Sequence, residues 1–172
     1  MRGADSTLLL GDGAWRPAPW IPVEIARTYD DYRDAVLRHV TEGYDAGIFS
    51  AGVADYRPYQ AAAGKIPSGL DELILTLVPT EKVIDLACAL DPNLFVVSFK
   101  YQEGLSHDAL MSIARKRLDR YPVVVANRGE ESQGNAQVAW ILSRDTTEPT
   151  RAEGKAGIAN AIVDQLEQQL PV

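Results

Sequence analysis

The chain has 172 residues, 46% apolar and 24% charged, which suits one domain, residues 1–172, with a sizeable core. No apolar run approaches the roughly 20 residues of a membrane-spanning helix, and residues 1–5 lack the apolar stretch of a signal peptide. A formal net charge of −7 argues against a nucleic-acid surface, which needs a basic stripe; one cysteine and two distant histidines argue against a disulfide framework or a zinc site. A cytoplasmic protein is expected, with any anion met by a local group of Lys and Arg.

In chain order, residues 6–10 read as a short buried strand closed by Gly11-Asp12-Gly13, and residues 14–22, with three prolines and two tryptophans, as a loop. Residues 23–26 form a brief strand. Thr28 with Asp31 is a capping-box pattern. Tyr32, Ala35, Val36, His39, Val40 and Tyr44 then follow helical period, predicting a helix over about 28–43. Residues 46–51 are a near-continuous apolar run, the pattern of a strand covered on both faces. Residues 72–78 read as an apolar strand, 81–90 as a short helix and 94–99 as another buried strand. Ser106 can cap a helix to Tyr121. Residues 123–126 and 137–142 are strands, 146–150 a polar turn, and 153–170 a helix with Ile158, Ala161, Ile162, Gln165, Leu166 and Leu170 on one face. The alternation predicts an α/β domain in three layers, with a mostly parallel sheet and helices on both faces.

Ligands of such sheets bind outside the carboxyl ends of the strands, here near residues 11–13, 50–57, 99–103 and 127–131. Ser50, Ala51 and Gly52 let a ligand approach the backbone closely, and Asp55 follows with a carboxylate. That carboxylate suits ribose hydroxyls, a metal ion or a base amine; equally, it suits a turn aspartate bonded to its own backbone. Lys65, between Gly64 and Gly69, is either a point charge that closes over phosphate or a solvated loop lysine. Arg115, Lys116, Arg117 and Arg120 form the densest cationic group, readable as a phosphate contact or as a solvated helix end. Gly11-Asp12-Gly13 lacks the later glycines of a dinucleotide fingerprint and reads as a turn. His39 and His107 read as helix residues, and Cys88 as a small buried hydrophobe.

The segments SAGVADYRP, GKIPSG, DELILTLVPT, VVSFKYQE and VVVAN occur in that order. Together they resemble phosphopantothenate–cysteine ligase from about residue 3 to the C-terminus; SFKYQE and the helix and strand after it look closer to the stand-alone and eukaryotic-type ligases than to the bifunctional bacterial form. The resemblance implies a Rossmann-like fold and a homodimer joined through a projecting arm at about 56–78. It implies an activity that joins 4′-phosphopantothenate to cysteine in coenzyme A biosynthesis, using CTP or ATP and Mg²⁺ through an acyl-nucleotide intermediate.

Carried over by residue, the resemblance implies that the backbone at Phe49, Ser50 and Ala51 meets the base and the activated carbonyl. It implies that Asp55 binds the nucleotide, that Lys65 closes on the phosphates, and that the backbone at Glu81, Lys82, Val83 and Ile84 borders the nucleotide. Phe99 is expected to pack on the base, Arg117 and Arg120 to fall where the family has helix lysines, and Asn127 to end a strand at the same rim; Asp55, Lys65 and Asn127 are the expected catalytic set. No metal ligand is expected from the chain.

Several positions depart from the family. Its Asn-x-Ser-Ser-Gly stretch does not occur in these 172 residues, and Met1 aligns inside the helix that follows that stretch. The usual Lys-Ile-Lys-Lys reads Lys65-Ile66-Pro67-Ser68, the usual Asn-Pro-Asp-Ile reads Thr80-Glu81-Lys82-Val83, and Arg128 replaces an aspartate. The alternative expectation is therefore an N-terminally shortened, non-catalytic homologue that binds nucleotide or a pantothenate derivative, or a chain that needs another to complete its site.

Overall fold

Valines at 96, 97, 123, 124 and 125 have stiff, β-branched side chains that suit a pleated surface buried on both sides. In the computed structural model they lie at the centre of a five-stranded sheet. The structure describes residues 3–14, 16–60, 62–132 and 136–170; Met1, Trp15 and Ala61, on which expectations fell, lie outside these. The chain divides into two compact units, Met1–His39 with Gly52–Leu90, and Val40–Ala51 with Asp91–Val172.

The second unit holds the five-stranded sheet, ordered β3 (Ala46–Phe49), β6 (Phe95–Gln102), β7 (Val123–Arg128), β8 (Val138–Ser143) and β9 (Thr150–Glu153). β3, β6 and β7 are mutually parallel, while β8 is antiparallel to both its neighbours. Four of the five strands therefore share one direction, as expected for a mostly parallel sheet. Alternate side chains go to opposite faces. On one face Val97, Val123, Val125, Ala139 and Ile141 pack with Ile158, Ala161, Ile162 and Leu166 of α4 (Gly154–Gln169). On the other, Val124, Ala126 and Leu142 pack with Leu110, Met111, Ala114 and Leu118 at and beyond α3 (His107–Arg117). Each fully buried valine contributes about 1.5–3 kcal/mol of transfer free energy. These two faces make the three-layer arrangement within this unit.

Local signals account for the helix ends. Ser106 Oγ accepts from the Ala109 N–H at 3.2 Å and starts α3. α3 stops at Arg117 rather than Tyr121. The chain tightens there, with Leu118 N–H bonded to Arg115 O and Arg120 N–H to Arg117 O. β9 begins at Thr150, where a turn alone was expected; the antiparallel ladder to β8 recruits Thr150-Arg151-Ala152-Glu153, which carry little intrinsic strand signal. β3 was expected to be covered on both faces, yet it pairs with β6 alone among the described strands, and Ile48 is 49% exposed.

The first unit contains β1 (Leu8–Gly11) and β2 (Val23–Ala26), a parallel pair of their own, and the antiparallel pair β4 (Tyr56–Pro58) and β5 (Leu77–Pro79). The capping box of α1 (Tyr29–Thr41) forms as read. Thr28 N–H donates to Asp31 Oδ2 at 2.9 Å and Asp31 N–H to Thr28 Oγ1 at 3.1 Å; bonding from the Thr28 side chain first, then from the Thr28 and Arg27 N–H groups, holds the Asp31 carboxyl below its ordinary pKa. α2 (Val83–Leu90) buries Val83 and Ala87, with Cys88 half-buried rather than buried. The strand expected over 72–78 shrinks to Leu77–Pro79. Its partner β4 ends at Pro58, which lacks an N–H, and the ladder closes with Tyr59 N–H to Thr76 O at 2.9 Å. Among the described residues no helix is long and apolar enough to cross a membrane.

Candidate functional site

The β4–β5 ladder sets the geometry around Asp55. Tyr56 stands opposite Pro79, so the residues before β4 and after β5 meet. Thr80 clamps this crossing twice: its N–H donates to Asp55 O at 2.9 Å and its hydroxyl to Ala54 O at 2.6 Å. Glu81 O accepts from the Tyr29 hydroxyl at 2.8 Å, which ties the same turn to the start of α1. The Asp55 carboxylate, 62% exposed, then receives the Lys82 ammonium, 60% exposed. Val83 and Ile84 open α2 immediately afterwards, and their N–H groups fall in the first turn, which has no intrahelical acceptors. Asp55, Lys82, Val83 and Ile84 thus come together within the first unit. Lys65 belongs to this unit too, exposed in the irregular stretch between β4 and β5.

In the second unit, the register puts Phe49 opposite Ser98, so Ser50 leaves the sheet at the level of Phe99. The Phe49 ring folds back over Gly47: a Cβ at that position would lie 2.7 Å from Phe49 Cε2. Phe99 was expected at a strand end, but β6 runs on to Gln102 and Phe99 packs half-buried against the Val97, Val125 and Ile141 face. Asn127 lies opposite Tyr101 near the end of β7, at the carboxyl rim. Arg117 lies on the other face of the sheet from Phe99. Its Nη2 donates to the buried Ser98 hydroxyl at 2.8 Å, and its guanidinium lies 5.0 Å from the ring centroid of buried Tyr121. Arg120 sits 5.8 Å from that ring. The structure therefore groups Phe49, Ser50, Ala51 and Phe99, and it separates Arg117 from Phe99 by the thickness of the sheet.

Residues 1–170 match the family described as the DNA/pantothenate metabolism flavoprotein C-terminal domain. The chain belongs to that family. It is 31% identical over 172 residues to the coenzyme A biosynthesis bifunctional protein CoaBC of Thermococcus kodakarensis, which covers 98% of this chain and 42% of the relative. It is 32% identical over 182 residues to the protein of that name in Mycolicibacterium smegmatis, covering 96% of this chain and 43% of the relative. The chain thus spans less than half the length of these curated relatives. Among solved structures, the DNA/pantothenate metabolism flavoprotein from Streptococcus pneumoniae matches with a TM-score of 0.83 at 21% identity, over 98% of this chain and 82% of that one. A Cab2 mutant in complex with phosphopantothenate-cysteine matches with a TM-score of 0.62 at 19% identity, over 85% of this chain and 51% of that one. The α/β fold and the likeness to phosphopantothenate–cysteine ligases read from the sequence both hold.

Two groups of interacting side chains were not legible in the sequence. Lys82 was counted only as a backbone position, although its side chain meets Asp55; the Thr-Glu-Lys turn that follows an apolar strand was the available signal. The second group centres on Glu131, in the short turn after β7. Its carboxylate accepts from Trp140 Nε1 at 2.7 Å and Arg128 Nε at 3.0 Å, and meets His107 Nδ1 at 2.7 Å. Burial raises the Glu131 carboxyl, but the bonds from Trp140 and His107 and the charges of His107 and Arg128 outweigh it and hold the pKa below the ordinary value. Arg128 is three positions from Glu131, but His107 and Trp140 lie 24 and 9 positions from it, so no local pattern announces the group. The group anchors the turn that follows Asn127.

Proposed function

We propose that this chain, acting as one domain, joins 4′-phosphopantothenate to cysteine with a nucleoside triphosphate, CTP or ATP, in cytoplasmic coenzyme A biosynthesis. A carboxylate oxygen of phosphopantothenate attacks the α-phosphorus and pyrophosphate leaves; the cysteine amine then attacks the resulting acyl carbonyl and the nucleoside monophosphate leaves. Asp55 holds the nucleoside, the first-turn amides of Val83 and Ile84 border it, and Lys65 neutralises charge on the phosphates. Within the second unit, the resemblance leaves the backbone of Phe49, Ser50 and Ala51 and the side chain of Asn127 as candidates for contacts to the base and the activated carbonyl. Arg120 remains a candidate phosphate contact, and Arg117 contributes by holding its helix to Ser98.

Among the described residues no group of three or more His, Cys, Asp or Glu could hold a metal ion. Mg²⁺ would then be carried in on the triphosphate, since this ion takes most of its ligands from phosphate and water. When bound, it offsets phosphate charge. The arm leaves Ile66, Leu70, Leu73, Ile74, Leu75 and Leu77 exposed, Ile74 at 78%. Such an apolar patch supports pairing of two copies as a homodimer.

The observation that carries the reading is the family match through residue 170, with Asp55 presented beside the start of α2. Pyrophosphate release tests it, with CTP and ATP supplied separately and phosphopantothenate or cysteine withheld in turn. Release that requires phosphopantothenate is the expected result. The departures at Pro67, Ser68, Lys82 and Arg128 favour a second reading, a nucleotide-binding chain without turnover of its own or one that works with another chain. Binding of the triphosphate without release selects that second reading, and absence of both refutes the two together.

A further inference from the structure

Lys82 follows a turn whose main chain is held from both sides, and its ammonium pairs with Asp55 across that turn. The β4–β5 register and the two Thr80 bonds fix the main chain on both sides of the pair. The ammonium therefore starts from a defined position against the Asp55 carboxylate. Both groups are more than half exposed, so water screens them. A pair of that kind is strong enough to order the carboxylate and weak enough for a ligand to break. A carboxylate at a nucleotide site also has an electrostatic difficulty: it repels the phosphates that accompany the nucleoside. A cation that neutralises it before binding and transfers to phosphate during binding removes that repulsion in both states.

We propose that Lys82 is the latch of the nucleotide site. With no nucleotide bound it occupies Asp55; when a triphosphate arrives, Asp55 passes to the nucleoside and the Lys82 ammonium turns to the phosphates. The inference rests on Asp55 as a nucleoside contact, and it adds a phosphate-binding residue and a self-occluded resting state. It has an unusual consequence: one substitution should shift two related ligands in opposite directions. Removing the latch exposes Asp55 to a nucleoside without phosphates, but deprives a triphosphate of a cation.

Titration calorimetry on the full chain, with CTP, ATP, cytidine and adenosine, tests this on wild type, Lys82→Met and Lys82→Arg. For Lys82→Met the triphosphate Kd is expected to rise about tenfold or more. The nucleoside Kd is expected to fall about two- to fivefold. Lys82→Arg should restore triphosphate binding most of the way. Lys82→Gln gives the same readout if the Met variant is poorly soluble, and a thermal melt confirms that each variant folds. Wild type that binds triphosphate while the Met or Gln variant binds both ligands equally well, or loses both together, overturns the latch and leaves the nucleotide reading standing. Wild type that binds neither nucleotide nor nucleoside overturns both.

Discussion

Replacing Glu131 with Gln keeps the shape of the side chain and changes its chemistry, which makes it an informative perturbation. The carboxylate meets three donor groups, Trp140 Nε1, Arg128 Nε and His107 Nδ1, and its side chain is only 17% exposed. A glutamine offers one oxygen and one NH₂, so one donor faces another donor and the countercharge for Arg128 disappears. One charge-assisted bond lost in a mostly buried setting costs about 2 kcal/mol. For a chain of this size that lowers Tm by about 4–8 °C. The sign with pH follows from the lowered pKa. A glutamate whose folded pKa lies below its ordinary value of 4.5 stabilises the fold above that value, and the contribution is lost as pH falls through the folded value. Urea unfolding of wild type and Glu131→Gln between pH 7 and pH 3 should therefore show the largest gap at pH 7 and a narrowing gap on acidification below about pH 4.5. A gap that stays constant across this range, or a Tm change below about 1 °C at pH 7, refutes the reasoning. Trp140→Phe combined with Glu131→Gln should cost less than the two changes added, because they share one bond.

Three further outcomes are expected. Gly47→Ala places a Cβ 2.7 Å from Phe49 Cε2, so the ring must swing; overpacking of about 1–3 kcal/mol, partly offset by a stiffer unfolded chain, should leave a net loss of about 1 kcal/mol in urea melts, and a stabilised variant would count against the placement of that ring. Ile74→Asp, on the 78% exposed arm residue, should convert a homodimer to monomer in equilibrium sedimentation; wild type that is monomeric at micromolar concentration defeats the arm-pairing proposal. Lys65→Ala should lower turnover by about tenfold or more with Tm unchanged, since the residue lies in an exposed irregular stretch; equal turnover removes Lys65 from the mechanism.

The fold was readable where one physical signal acted alone. The valine pairs of β6 and β7 and the spacing of Ile158, Ile162 and Leu166 report burial directly, and the Thr28–Asp31 and Ser106 caps are local chemistry. Elements that depend on a distant partner were not readable. Glu72 to Thr76 has the composition of a strand, yet among the described residues the β4–β5 ladder ends with the Tyr59 N–H to Thr76 O bond, while Thr150 to Glu153 lacks that composition and becomes a strand because β8 offers a free edge. Phe99 was placed at a strand end because polar residues follow it; the β6–β7 pairing carries the strand three residues further, through Lys100 and Tyr101.

The candidate site separates charge from availability in the same way. Arg117 belongs to the densest cationic run in the chain, and the resemblance implies a phosphate contact there. Its guanidinium instead holds the buried Ser98 hydroxyl and lies over Tyr121, and a guanidinium with its planar fork committed to such contacts is a strut. Lys82 has no cationic neighbours in sequence and drew no attention as a side chain. Its ammonium is exposed and pairs with an exposed carboxylate, an arrangement a triphosphate can displace. Counting cations along the sequence favours the strut, whereas asking what each cation would have to give up in order to bind phosphate favours Lys82. The paired titrations of triphosphate and nucleoside decide between these criteria, because loss of a strut weakens both ligands together and loss of a latch moves them apart.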